Sequence, residues 1–326
     1  MRLSHDPVKT HASFDDPNLV SRAGLVPVMA LAQRCGLADL AGEHVTITSR
    51  TGVNPGLKIP CLVAGMAAGA DSIDDMDVLR HGAMPDLFGG VRAPSTLGSF
   101  LRSFTWGNVR QLDIVARRLL AELASAAPLL PGADVLAFID MDSMQKRVYG
   151  HAKQGAGFGH TKIQGKSLMV RGLNVLAAVV STPLAAPVIT ATRLRGGTAN
   201  SARGAASLAA EAISAARQTK CTGQVVFRID SAYYSAAVLG AIRRAARASR
   251  SPCGWTPGSA VRRPPRIASL CRTPHNRICG SPEGKFLRAT KPNSMTLVAN
   301  THDRHSATKR FICGWLSWIS NAARSR

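Results

Sequence analysis

The chain has 326 residues, enough to bury a sizeable core and, on length, to form two domains. Lys and Arg total 41 against 19 acidic residues, a net charge of +22 that favours a polyanionic partner, nucleic acid first, through phosphate neutralisation and counterion release. The start, Met1 to Asp6, lacks the apolar core of a secretory signal, and seven cysteines without a C-x-x-C pair suggest neither a zinc site nor a disulfide framework, so a cytoplasmic protein is expected.

Residues 1–131 are expected to form a helical N-terminal region that binds DNA. Helical spacing runs through Val28–Leu40, Ser95–Phe104 and Val109–Leu123, the last with Arg117 and Arg118 on its polar side. Pro128, Pro131 and Gly132 end that helix, and a domain boundary is expected near residue 131. Val135–Ile139 then has strand length and leads into Asp140-Met141-Asp142-Ser143. The uncharged stretch Gly172 to Thr192 is long enough for a membrane span, but Pro183 and Pro187 divide it, so two strands, Leu173–Val180 and Val188–Thr192, are predicted and no membrane partner. Gly196-Gly197 breaks the chain, Asn200 or Ser201 is placed to cap a helix over Ala205–Ala216, Gln224–Ile229 forms a strand ending in Asp230, and Ala236–Ala246 forms a helix.

From about residue 248 the composition changes. Residues 231–326 hold 17 Lys or Arg against two acids, Glu283 and Asp303, and seven prolines interrupt any period, so residues 248–326 are expected to be a basic tail with little regular structure.

Asp140, Asp142 and Asp230 all stand at predicted strand ends. Acids at the ends of neighbouring parallel strands converge in one crevice, and hard divalent cations prefer such oxygen ligands. Two cations about 4 Å apart clamp the attacking and leaving oxygens of a phosphodiester. The plainer alternative is that each Asp is a turn residue bonding its own backbone.

The segments Phe138-Ile139-Asp140-Met141-Asp142-Ser143, Tyr149-Gly150, Lys153-Gln154-Gly155-Ala156-Gly157, Arg193-Leu194-Arg195-Gly196-Gly197-Thr198-Ala199-Asn200-Ser201-Ala202 and Arg228-Ile229-Asp230-Ser231-Ala232-Tyr233-Tyr234 occur in an order that resembles bacterial insertion-sequence DDE transposases. The resemblance covers about residues 12–246. It implies an α/β fold in which the helical region precedes a partial ribonuclease-H-like mixed sheet over residues 132–247. It also implies cut-and-paste chemistry on double-stranded DNA (terminal inverted repeats and target), Mg2+ or Mn2+ as cofactor, and a compatible homodimer. Asp142, followed by Ser143, matches the family's first acid and Asp230 its second, both as catalytic metal ligands; Asp140 is the alternative for the first position. Met144 stands where the family commonly has Thr.

The family's third acid is a Glu on a later helix. Glu283 is the only Glu after Asp230, and its Pro and Gly neighbours make it a poor helix residue, better read as a loop acid. A frameshift would account for the change of composition: Trp255 has a single codon, and the offset frame across Arg247–Pro257 permits, among other strings, Gly-Phe-Ser-Val-Thr-Val-Arg-Met-Asp-Pro, an alternating string of strand type. An impaired transposase is therefore expected, with a non-catalytic DNA-binding remnant as the rival.

Gly155 to Gly159 and Gly165-Lys166-Ser167 look like nucleotide loops but lack the required spacing, and a glycine-rich loop between strands is expected instead. Lys146, Arg147, Lys153, Lys162, Lys166 and Arg171, with Arg193 and Arg195 beside the glycine pair, either line a DNA path or form a solvated basic surface. His151 and His160 lack paired ligand spacing and read as loop residues.

Overall fold

The computed structural model describes residues 15–149, 153–163 and 166–248, and the backbone of Met295–Ala299. Glu283, His151, the frameshift segment and the rest of the tail lie outside the described residues.

Among the described residues, six α-helices come first: α1 (Leu25–Arg34), α2 (Leu37–His44), α3 (Pro55–Ala67), α4 (Met84–Leu87), α5 (Pro94–Arg102) and α6 (Trp106–Ala126). The helical period over Val28–Leu40 is split between two helices because Gly36 adopts φ 73°, a left-handed conformation open to glycine at little steric cost. Thr105 and Asn108 form a capping box at the start of α6, satisfying otherwise orphaned N–H groups.

A mixed sheet follows, built from β1 (Leu136–Arg147), β2 (Gly157–Ile163), β3 (Lys166–Thr182), β4 (Ala185–Arg195), β5 (Gln224–Ile229) and β6 (Met295–Ala299), with α7 (Ala205–Gln218) before β5 and α8 (Ala236–Ala248) after it. The strand order is β2-β3-β1-β5-β6, with β4 also paired to β3. β1 to β4 pair antiparallel, whereas β5 is parallel to β1 and β6 parallel to β5. The uncharged stretch forms the end of β3 and most of β4, joined by a tight turn, and no helix among the described residues is long and apolar enough to cross a membrane.

Alternation along the strands divides the core in two. Ile139 and Met141 of β1, Leu176, Ala178 and Val180 of β3, and Phe227 and Ile229 of β5 face Leu208, Ala212 and Ile213 of α7 and Val238 and Ile242 of α8. Leu173, Val175, Ala177 and Val179, on the opposite face of β3, enter one core with Leu97, Phe100, Leu112 and Val115 of the N-terminal helices. Each large apolar side chain so buried contributes about 1.5–3 kcal/mol. The helical region is therefore packed on the sheet, through a core continuous across residue 131.

Three sequence expectations need correction. Gly157 and Gly159 belong to β2 and not to a loop, and Thr198 and Gly197 lie too close to them for side chains; equally, a Cβ on Gly197 would collide with the backbone of Gly157 and Gly172. The residue before α7 is Gly204, at φ 75° with no side-chain cap; the Asn200 side chain instead accepts the Arg203 N–H at 2.9 Å within the preceding turn. Asp140 and Asp142, expected at a strand end, lie within β1, which continues to Arg147 because its pairing with β3 extends that far.

Candidate metal centre

β1 and β5 run parallel with Asp140 opposite Arg228 and Met141 opposite Ile229. One residue beyond that last pair, the same offset puts Asp142, still within β1, level with Asp230, just past the end of β5. Asp142 is also paired across β1–β3 with Ala177, a member of the core beneath the N-terminal helices, so the even-numbered β1 side chains share that face of the sheet. The helices cover it over β3 and β4. Over β1 and β5 it is more open: Asp142 is half-buried and Asp230 exposed.

The three candidate acids have different surroundings. One carboxylate oxygen of Asp142 accepts the backbone N–H of Ser143 at 2.7 Å, which orients the group. Asp230 begins a single 3-10 turn, its carbonyl accepting the N–H of Tyr233 at 3.0 Å. Asp140 is engaged by Arg228 in a two-pronged pair, Nε and Nη2 each 2.5 Å from a separate oxygen, and that guanidinium also lies 4.4 Å from the Phe138 ring centroid. Bidentate charge-assisted pairing of this kind fixes both partners and competes with metal for the same oxygens.

Behind the pair, on the other side of the sheet, Tyr233 is fully buried with its hydroxyl close to the Ser143 side chain but without a hydrogen bond of normal geometry. Burial raises its pKa, and Asp142, Arg195 and Asp230 all lie within electrostatic reach. Arg195 is 4% exposed. It donates to the Asn174 side chain and to the carbonyls of Asn200 and Ser201, both at 3.1 Å, and of Arg203 at 2.7 Å. Arg193 is bound to Ser207 and Glu211 of α7. These two arginines, expected either along a DNA path or on a solvated basic surface, are instead internal fasteners of the loop between β4 and α7.

Sequence reasoning missed Arg228, Tyr233 and the inward role of Arg195. The offset of two between Asp140 and Asp142, repeated between Arg228 and Asp230, was the available signal: residues two apart in a strand share a face. Among the described residues, no group of three or more His, Cys, Asp and Glu side chains is arranged to hold a metal ion.

No family model matches the chain, and no curated protein matches it.

Proposed function

We propose that this chain is a DNA transposase of the insertion-sequence type, with a ribonuclease-H-like core acting on the ends of its own element. The observation that carries the reading is the register of β1 and β5, which, continued one residue past its last pair, Met141 and Ile229, puts Asp142 within β1 level with Asp230 just beyond the end of β5, on one partly open face. Support also comes from the topology, an antiparallel set of strands followed by parallel strands alternating with helices. The partner is double-stranded DNA at the nucleoid, consistent with a net charge of +22.

Asp142 and Asp230 would hold Mg2+ or Mn2+, whose preference for carboxylate oxygen fits this pair. Such an ion, when bound, activates the attacking water or 3′-hydroxyl and offsets charge on the phosphodiester. The Ser143 N–H fixes the direction of the Asp142 carboxylate, and Arg228 keeps Asp140 engaged beside it, leaving Asp140 the less suitable ligand.

A second reading, a DNA-binding remnant that holds element ends without cutting, is favoured by the pair standing without a third acid grouped with it among the described residues. Cleavage of a labelled duplex carrying the element's ends, in Mg2+ or Mn2+, separates the two. The transposase reading expects strand cleavage that Asp142→Ala and Asp230→Ala each abolish; binding without cleavage leaves the remnant, and cleavage unaffected by both changes refutes the site.

A further inference from the structure

Between Asp142 and Glu211 the sequence holds nine Lys or Arg and not one acidic residue. The middle of this stretch forms β2 and the first half of β3. β1 ends at Arg147, opposite Gly172, whereas β2 pairs with β3 from Gly172 out to Lys166. The two strands therefore continue past the end of β1 as a two-stranded ribbon, seven residues long on each side. Such a ribbon is marginal alone. Its root is held where Gly197 packs on Gly157 and Gly172 and the Gly197 N–H donates to the Gly155 carbonyl at 2.9 Å.

The ribbon exposes apolar side chains. Phe158 and Met169 are each 61% exposed. Phe158 is opposite Arg171 and His160 opposite Met169, so all four share one ribbon face. Arg171 is two residues from Leu173 on β3, and this is the face that carries Lys146 and Asp142 on β1. Near the root Tyr149, 67% exposed, lies with its ring centroid 5.0 Å from the Arg147 guanidinium carbon. From Ala177, level with Asp142, to Arg171, level with Phe158, is six residues, about 20 Å along β3 or about six base pairs of B-DNA.

We propose that the β2–β3 ribbon is a DNA-gripping element that binds where bases are locally unstacked, with Phe158 and Met169 against exposed base faces and the surrounding basic residues on phosphates. The partner class rests on the transposase reading; the ribbon's role does not depend on cleavage. Charge complementarity favours nucleic acid over a second copy, since two ribbons without an acid between them repel. A membrane is disfavoured because the apolar side chains lie on a face that leads to Asp142, along which a polymer extends. Apolar wedges of Phe and Met are suited to distorted base steps, and aromatic stacking tolerates any sequence.

The test is fluorescence anisotropy with the full chain in EDTA, so that cleavage plays no part, comparing a perfect 30-base-pair duplex with the same duplex carrying a three-nucleotide mismatched bubble. The bubble is expected to bind about fivefold or more tighter. F158A/M169A should remove that preference and leave perfect-duplex affinity unchanged, F158Y should retain it, and K146A/K166A should weaken both duplexes alike and flatten the salt dependence. Circular dichroism checks that each variant folds. Equal affinities for the two duplexes, or a preference that survives F158A/M169A, overturns the proposal. So does a wild-type dimer, seen by sedimentation, that F158A/M169A dissociates while the bubble preference persists, since that assigns the face to a second copy. The outcome is independent of the Asp142→Ala and Asp230→Ala cleavage assay, so either reading can fail alone.

Discussion

Asp113 on α6 is 6% exposed, accepts Arg110 Nη1 at 2.5 Å and Thr192 Oγ1 at 3.2 Å, and has its pKa raised from 3.8 to about 6, with burial the largest cause. The folded protein therefore holds this proton more tightly than the unfolded chain. Stability from this group is fully present below pH 3.8 and is lost as pH rises to about 6, a total of about 3 kcal/mol for a shift of about two units. Asp113→Asn keeps the shape and the oxygen facing Thr192 and has no proton to lose. The substitution costs part of the Arg110 pairing at every pH, although Arg110 also reaches Glu211 at 3.3 Å. Urea denaturation of both proteins at about pH 4.5 and about pH 7.5 cancels the titration of all other groups. The stability of the variant relative to wild type should rise by about 2 kcal/mol between the two pH values, the part of the total that titrates in that interval. A difference that stays constant refutes the claim that this carboxylate is ionised at a cost inside the fold.

Gly197→Ala forces a methyl group into the backbone of Gly157 and Gly172, and should destabilise by about 3 kcal/mol, read by thermal or urea unfolding; a loss below about 1 kcal/mol means that the loop has room to move. Asp140→Asn breaks the two-pronged pair with Arg228 and should cost about 1–3 kcal/mol of stability. Mn2+ affinity, measured by calorimetry, should fall in Asp142→Asn and Asp230→Asn and stay near wild type in Asp140→Asn. A loss in Asp140→Asn as large as in Asp142→Asn makes Asp140 a ligand.

The apolar runs at Leu173–Val180 and Gln224–Ile229 mark strands in the sequence because their alternation or continuity reflects burial on a sheet, and Ala236–Ala246 marks a helix by its period. What escaped depends on contacts distant in sequence. β2 begins Gly-Phe-Gly, the composition of a loop, and the close approach of Thr198 to Gly157 and of Gly197 and Gln145 to Gly159 explains why those side chains are missing. Arg195 has the same composition signal as a DNA-binding arginine; its burial depends on Asn174 and on three carbonyls of a later loop. The punctuation at residue 131 is visible, but not that apolar residues of β3 would complete the core of the preceding helices. Asp230 was legible as a strand-end acid, whereas Asp142 lies inside β1, which runs on to Arg147 beyond the apolar stretch that marks its start; that the two acids are level depends on strand register, which no local pattern encodes.

β4 bonds to β3 on one side, and among the described residues no strand pairs with its other side. Exposed strand edges invite addition of a foreign strand. Here Arg110, from the helices on one face, reaches Glu211, from α7 on the other, and Glu211 also binds Arg193 of β4 at 2.5 Å. The cluster works as a clasp closed over the rim of the sheet. A strand arriving from another molecule would have to open carboxylate–guanidinium pairs before finding a free backbone group, so this border resists runaway polymerisation and is a poor place for two copies to join. Electrostatics that look like ordinary packing between layers thus also decide where the protein can safely meet its own kind.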